Sequence, residues 1–139
     1  MDATPLQQLL DEWRGRLARI PEGEALRVVG SKWTRKQVLG HLIDSTANNH
    51  QRFVRLQQGN LAQFPGYDQE AWVQAGHYNE RPWSSLVDLW YLYNAQMAAV
   101  IAAIGPECGG HQWEGQEASL DFIVADYTRH MLHHLHQLD

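Results

Sequence analysis

The chain has 139 residues, of which 44% are hydrophobic and 19% are charged, and its formal net charge is -5. This length and composition predict a single globular domain over residues 1–139 that buries its own core. The negative charge, without any Lys/Arg cluster, argues against nucleic acid and anionic membrane as partners. No apolar run is long enough to span a bilayer and no signal peptide is present, so we expect a cytoplasmic protein.

A single cysteine, Cys108, limits the kinds of metal site that the chain can build. One cysteine excludes an internal disulfide and a cysteine-based zinc cluster. Any bound metal must therefore be held by histidines and carboxylates.

The first two predicted helices begin at N-cap signals. Thr4 is followed by Pro5, with Gln7 placed to complete a capping box, and Pro21 ends this first helix. In the second helix Thr34 is the N-cap and Gln37 lies three residues on, while Gly59-Asn60 predicts an end near Gln58.

The remaining chain predicts one irregular segment and two further helices. Residues 60–83 break periodicity and are rich in aromatics, with one short helix expected from Asp68 to Ala75. The third helix is predicted from Ser84 or Ser85 to Gly105-Pro106, and the fourth from Ser119 to the C-terminus. No segment alternates with period two, so strands should be absent or minor.

Four long amphipathic helices predict an all-α fold, a four-helix bundle with a long irregular connection between helices two and three. The shorter links, before helix two and between helices three and four, favour antiparallel neighbours. The long connection permits a crossover. The six tryptophans make a homodimer through helix faces plausible, because large apolar patches rarely stay exposed.

The most informative pattern is the pair His130 and His134, four residues apart in the last helix. Positions i and i+4 lie on one helix face, where two imidazoles can point at a single cation. His134 falls inside the apolar arc of its helix and His130 falls on the edge, whereas His133 and His136 lie outside it. The alternative is a pair of core histidines with hydrogen-bond partners.

His41 in helix two is the candidate third ligand. It flanks the apolar arc of its helix and is followed by a polar stripe of Asp44, Ser45, Asn48 and Arg52. One interpretation is a polar cleft beside the core, and the other is a plain solvated face. Because His41 flanks the arc, its truncation is expected to open little core cavity. The other histidines outside the last helix, His50, His77 and His111, are weaker candidates.

The string Val38-Leu39-Gly40-His41-Leu42-Ile43-Asp44-Ser45, with Arg52-Phe53 and the later His130-x-x-x-His134, resembles the DinB-like family of metal-binding four-helix bundles. The resemblance covers most of the chain, including Tyr67, Trp72-Val73 and Tyr93-Asn94. It implies a divalent metal, commonly nickel or zinc, held by His41, His130 and His134.

For function the resemblance implies two kinds of enzyme on a small-molecule substrate. Some members of the family are low-molecular-weight-thiol-dependent transferases or isomerases, and others are called metal-dependent hydrolases. An open His-ligated cation suits both, because it can hold a thiol as thiolate or lower the pKa of bound water. We expect an S-transferase first and a hydrolase second, and the alternative from a different class is a non-catalytic bundle with a structural metal. The catalytic residues beyond the metal are unknown, and the candidate pocket residues are Asn48, Arg52 and Asp44.

A ring nitrogen of a metal-bound histidine usually donates to a second residue that fixes the ring. Asp126, one turn before His130, and Asp44, one turn after His41, are the candidates for that role. The alternative for each is a helix-surface charge, and this is the interpretation that we favour.

Overall fold

Four long helices dominate the structure, a computed structural model that describes residues 1–115 and 118–139. In chain order the helices are α1 (Thr4–Ala18), α2 (Glu22–Ala25), α3 (Arg35–Gln57), α4 (Gln69–Gly76), α5 (Trp83–Ala102) and α6 (Leu120–His136). Two antiparallel strands of two residues each, β1 (Val28–Val29) and β2 (Trp33–Thr34), lie between α2 and α3. Single 3-10 turns occupy Tyr78–Glu80 and Pro106–Cys108. The predicted all-α fold with minor strands is confirmed.

Side-chain caps fix the starts of three helices where the sequence predicted them. The Gln37 amide donates to Thr34 Oγ1 at 3.1 Å and the Thr34 amide donates to Gln37 Oε1 at 3.0 Å, which completes the capping box of α3. Ser119 Oγ accepts from the Phe122 amide at the start of α6. Asp68 Oδ1 accepts from the Ala71 amide at the start of α4, so the short helix predicted within residues 60–83 is present.

Three predicted helix boundaries differ from the structure. Thr4 already lies in the first turn of α1, and its amide donates to Asp2 Oδ1 at 2.9 Å, so Thr4 is not the N-cap. Helix α5 begins at Trp83, where the amide is satisfied by Glu22 Oε2 at 2.8 Å, and it ends at Ala102 before the predicted Gly105 stop. The partner of the Trp83 amide comes from far along the chain, which no local pattern could signal.

The order of the helices around the bundle contradicts one prediction. Helix α3 packs against α5 and α6, and α1 also packs against α5 and α6. The pairs α1/α3 and α5/α6 therefore lie across the diagonals, although they follow one another along the chain. The links of residues 19–34 and 103–119 were expected to join antiparallel neighbours, but they are long enough to cross the end of the bundle.

The directions of the helices follow from contacts near their ends. The Met1 amino group donates to the Ile104 carbonyl at 2.6 Å, and Trp83 Nε1 donates to the Leu17 carbonyl at 2.7 Å, so α1 and α5 are antiparallel. In contrast α3 and α5 are parallel, because Lys36 Nζ reaches the Arg81 carbonyl at one end and Thr46 meets Asn94 further along. Residues 58–82 carry the chain back between these two parallel neighbours, which is the crossover that the long connection permitted.

The tryptophans lie mainly in one continuous hydrophobic core. Trp13, Trp83 and Trp90 are buried, and Trp33 and Trp113 are half-buried. Trp72 is the most exposed of the six, at 40%. They leave no large tryptophan face on the surface, and the homodimer stays a prediction.

Within the part of the chain that the structure describes, no helix has both the length and the apolar content needed to cross a membrane.

Candidate metal centre

The candidate ligands come from two antiparallel helices, α3 and α6. His41 lies in the second turn of α3, and His130 and His134 lie on successive turns near the end of α6. The antiparallel direction is fixed further along the same pair, where Thr46 Oγ1 and the Tyr127 hydroxyl are 2.8 Å apart. The predicted pair and the predicted third histidine are thus brought together at one place between facing helices.

The three imidazoles are close enough to share one ion. Each offers a ring nitrogen, and the three nitrogens lie within 4.8 Å of one another. Nε2 of His130 and Nε2 of His134 are 3.2 Å apart. Two nitrogens bound to one zinc ion at about 2.0–2.1 Å with tetrahedral geometry would lie about 3.3 Å apart, so this spacing fits a shared cation.

Burial favours the neutral form of these three histidines. His41 is 1% exposed, and burial, followed by the charges of His134 and His130, lowers its pKa to about 4. Burial is also the largest cause of the lowered pKa of His130 and of His134. Nδ1 of His41 is buried and has no hydrogen-bond partner within the described residues. Neutral imidazole is the form that binds a metal, so the donor set fits a divalent transition metal.

The ring partner of His134 is a residue that the sequence analysis missed. Gln137 Oε1 lies 3.1 Å from His134 Nδ1 and can accept its proton, which leaves Nε2 free as a ligand. Gln137 stands three residues after His134, so the i, i+3 spacing was the available signal. The two predicted candidates for this role are engaged elsewhere: Asp126 pairs with Arg129, and Asp44 accepts from the Tyr78 hydroxyl.

The prediction that truncation of His41 would open little core cavity is wrong. His41 is fully buried, and its ring lies 5.1 Å from the Trp33 ring. The polar stripe that follows it is also not a plain solvated face, because Asp44 is 5% exposed and Ser45 is 4% exposed. Chain segments outside α3 cover this stripe, which helical periodicity alone could not show.

A cleft of about 400 Å³ opens beside His130, between α3, α6 and the segment before α4. His130 lines one part of it and Arg52 lines another. Of the polar stripe, Ser45 and Arg52 line this cleft, whereas His41 is not among its lining residues. The other lining residues are Ser45, Asn49, Gly66, Tyr67, Gln69, Trp113, Ala118, Phe122, Ile123, Asp126 and Tyr127.

Of the three candidate pocket residues, Arg52 alone lines this cleft. Asp44 faces Tyr78, and Asn48 lines a second cleft of about 760 Å³ on the other side of Tyr67. Asn49, one turn before Arg52, lines the cleft but was not among the predicted pocket residues, although the i, i+3 spacing placed both on one face. Trp113 was not predicted either, because it reaches the cleft from a distant loop and no local pattern signals it.

The weaker histidine candidates lie away from the cluster. His50 Nδ1 is 3.0 Å from the Tyr93 hydroxyl, and His111 Nδ1 is 2.5 Å from the Leu56 carbonyl oxygen. His77 is exposed and ends α4 in a left-handed conformation with φ 50. His133 and His136 are exposed on α6, as predicted.

The fold and the histidine cluster define a class of protein: helix bundles in which side chains from facing helices can form a metal site. The model of the DinB superfamily matches residues 6–138. The chain therefore belongs to the DinB superfamily, as the resemblance implied.

The fold is similar to that of a solved relative, YfiT from Bacillus subtilis. The TM-score is 0.82 at 19% sequence identity, over 98% of this chain and 83% of that chain. YfiT is described as a probable metal-dependent hydrolase with an unusual four-helix bundle topology. At this identity the likeness shows the fold alone. No curated protein sequence matches the chain.

Proposed function

We propose that this chain is a divalent-metal-dependent enzyme acting on a small molecule, with His41, His130 and His134 as the metal ligands. The observation that carries the proposal is the convergence of three buried or half-buried imidazoles, of which His130 lines a cleft of about 400 Å³. A catalytic site needs three protein ligands and an open position, whereas a structural site is closed by four. Among the described residues the group that could hold an ion has three members, and it adjoins a cleft.

The chain's own residues prepare the site for metal. His41 is neutral at neutral pH because its pKa is lowered to about 4, so it binds without first losing a proton. Gln137 holds the ring of His134 with Nε2 towards His130. His41, on the α3 side of the cluster, is 1% exposed, and His130, on the α6 side, lines the cleft.

Nickel and zinc are the metals that the family resemblance favours, and imidazole ligands suit both. When bound, such a cation supplies Lewis acidity, which lowers the pKa of a coordinated thiol or water. The first candidate reaction is transfer of a low-molecular-weight thiol to a small electrophile, which the resemblance implies. The second is hydrolysis, supported by the description of YfiT.

Metal content and its dependence on the histidines test the site. Protein purified without nickel resin should hold about one divalent ion per chain by elemental analysis. The His130→Ala, His134→Ala double variant should hold none, while the exposed His133→Ala variant on the same helix should bind like wild type. Full retention in the double variant would end the proposal.

The third ligand needs a conservative variant because His41 is buried. His41→Ala would open a cavity in the core, so a loss of binding there could reflect misfolding. His41→Gln fills more of the space and removes the imidazole. We expect wild-type far-ultraviolet circular dichroism with metal affinity at least tenfold weaker, and unchanged affinity would remove His41 from the ligand set.

The transferase and the hydrolase can be distinguished by their co-substrate, which is a thiol for the first and water for the second. Electrophiles should be offered to the metal-loaded protein with a panel of cellular thiols and, separately, with water alone. Turnover that needs a thiol supports the transferase. Turnover with water alone replaces it by the hydrolase, and no turnover with either favours a metal with a structural role.

A further inference from the structure

Arg52 is a half-buried cation in the cleft without an anionic partner among the described residues. Its Nη1 donates to Asn49 Oδ1 at 3.4 Å, and its Nε is buried with no hydrogen-bond partner there. The guanidinium carbon lies 5.1 Å from the Trp113 ring centroid and 5.6 Å from that of Phe64. The aromatic rings hold the planar group in place, but a half-buried guanidinium without a charged partner keeps unused donors.

The polar residues around Arg52 complete a recognition surface. Asn49 and Ser45 are buried on the same face of α3, and Tyr67 lies across the cleft from them. The hydroxyls of Ser45 and Tyr67 can donate to the oxygens of an anion beside the guanidinium, whereas the Asn49 side-chain nitrogen already donates to the carbonyl and Oγ of Ser45. All of them line the same cleft as His130.

The separation of Arg52 from the histidines sets the length of a suitable ligand. Because Thr46 on α3 meets Tyr127 on the antiparallel α6, Arg52 lies level with the Phe122 end of the stretch of α6 that lines the cleft. The rise along α6 from Ile123 to His130 is about 10 Å. A ligand that touches both ends is therefore elongated, about as long as three extended amino-acid residues.

We propose that the Arg52 end of the cleft binds a carboxylate of the ligand, while its reacting end lies at the histidine cluster. The second half of this statement rests on the proposed function, and the first half does not. A carboxylate matches the two-pronged donor geometry of guanidinium. Arg52 is the one cation among the described lining residues, and Asp126 also lines the cleft, so a monoanion suits it better than a phosphate dianion.

Binding of simple acids to metal-free protein tests the carboxylate subsite alone. Hexanoate, hexanol and inorganic phosphate are titrated by nuclear magnetic resonance against protein kept in chelator. We expect hexanoate to bind about tenfold or more tightly than hexanol, and Arg52→Gln to abolish that preference. The exposed Arg55→Gln variant, which removes the same charge one turn away, should keep it.

A second variant, Arg52→Lys, distinguishes loss of the binding site from misfolding of the protein. Arg52→Lys keeps the positive charge and loses the planar fork, so it should bind hexanoate several-fold more weakly than wild type. Equal binding of hexanoate and hexanol by wild type, or hexanoate affinity unchanged in both Arg52 variants, overturns the proposal. Tighter binding of phosphate than of hexanoate overturns the assignment to a carboxylate.

Linked ligands then test the distance between the two ends. Mercaptopropionate, mercaptohexanoate and mercaptooctanoate are titrated by calorimetry into nickel-loaded wild type and Arg52→Gln, each beside its mercapto-alcohol. We expect the advantage of acid over alcohol to grow with chain length and to vanish in Arg52→Gln. An equal advantage at every length overturns the span. Failure of the metal to bind would contradict the proposed function, yet leave the metal-free hexanoate result standing.

Discussion

Asp44 is a buried carboxylate, and its two oxygens differ in their hydrogen bonding. Oδ1 accepts from the Tyr78 hydroxyl, and Oδ2 is buried without a hydrogen-bond partner among the described residues. Burial raises the pKa of Asp44 to about 6, against the opposing effect of the Tyr78 hydrogen bond. The ionised form of Asp44 is therefore less favourable in the folded protein than in the unfolded chain.

Asp44→Asn should change how stability depends on pH. The folded-state pKa of Asp44 is raised, so between about pH 4 and pH 6 the native protein binds more protons than the unfolded chain. Wild type should therefore lose stability relative to Asp44→Asn as pH rises through this window. The expected gain of the variant is on the order of 1–3 kcal/mol by about pH 7.

Urea unfolding of metal-free protein in chelator measures this difference. The histidines of the cluster contribute in the opposite direction, because their lowered pKa values make stability fall as pH falls below about 6.5. They are common to both proteins, so the difference between wild type and variant isolates Asp44. Asp11→Asn, on the exposed face of α1, serves as the control. Parallel stability curves for wild type and Asp44→Asn would contradict the prediction.

Individual site residues could be predicted from sequence where their partners are local. His130 and His134 are one helical turn apart, so the pair is visible in the sequence, and Gln137 lay within reach of the same reasoning. The partner of Asp44 is Tyr78, which lies after a crossover and a left-handed residue at His77. No short-range pattern joins those two positions.

At the scale of elements, the packing of Tyr78 on helix α3 requires that Gly40 has no side chain. A Cβ placed there would lie 2.0 Å from Cδ2 of Tyr78, so the Tyr78 ring packs directly on the α3 backbone. This contact brings the Tyr78 hydroxyl to Asp44, one turn further along. Glycine normally weakens a helix interior, and here close packing offsets that weakness.

Gly40→Ala should lower the free energy of unfolding by about 1–3 kcal/mol, because the added methyl displaces an aromatic ring in a packed site. Gly15→Ala is the matched control, since Gly15 lies inside α1 with nothing within 4 Å of its added Cβ. The same change there should stabilise by about 0.5–1 kcal/mol. Chemical denaturation of both variants gives the comparison, and equal shifts in the same direction would refute the packing argument.

Helix boundaries show the same division between local and distant causes. The starts of α3, α4 and α6 were predictable, because Thr34, Asp68 and Ser119 cap amides only three residues away. The start of α5 was not, because Glu22 supplies the acceptor for the Trp83 amide from another part of the chain.

At the scale of the whole molecule, a metal at the cluster would tie α3 to α6 across the antiparallel pair. Binding to the native state alone stabilises by about 2.7 kcal/mol at a free ion concentration one hundred times Kd. For a chain of this size that corresponds to a rise in Tm of about 10 °C.

Thermal melts with added nickel or zinc, followed by chelator, measure the effect. The rise in Tm should reverse with chelator and be absent from the His130→Ala, His134→Ala variant. His133→Ala should show the full rise. A shift of equal size in the double variant would place the bound ion elsewhere.

The arrangement of the helices was harder to predict than their number. Four amphipathic segments were visible in the sequence, but the neighbours of each helix depend on where the links cross. Residues 19–34 contain α2, β1 and β2, which carry the chain across the end of the bundle to the diagonal position. Link length alone does not distinguish that path from a turn to an adjacent helix.

The diagonal placement of consecutive helices has a consequence for how fast the protein folds. Neither α1 with α3 nor α5 with α6 can close early as a helical hairpin, and three of the four neighbouring pairs join helices that are not consecutive. Contacts of this kind raise contact order, so refolding should be slower than the microseconds to milliseconds typical of bundles with local contacts. Stopped-flow refolding of metal-free protein should show relaxation in milliseconds or longer, and a complete microsecond phase would contradict it. Because His41 meets His130 only after distant helices have docked, added metal should slow unfolding far more than it speeds folding.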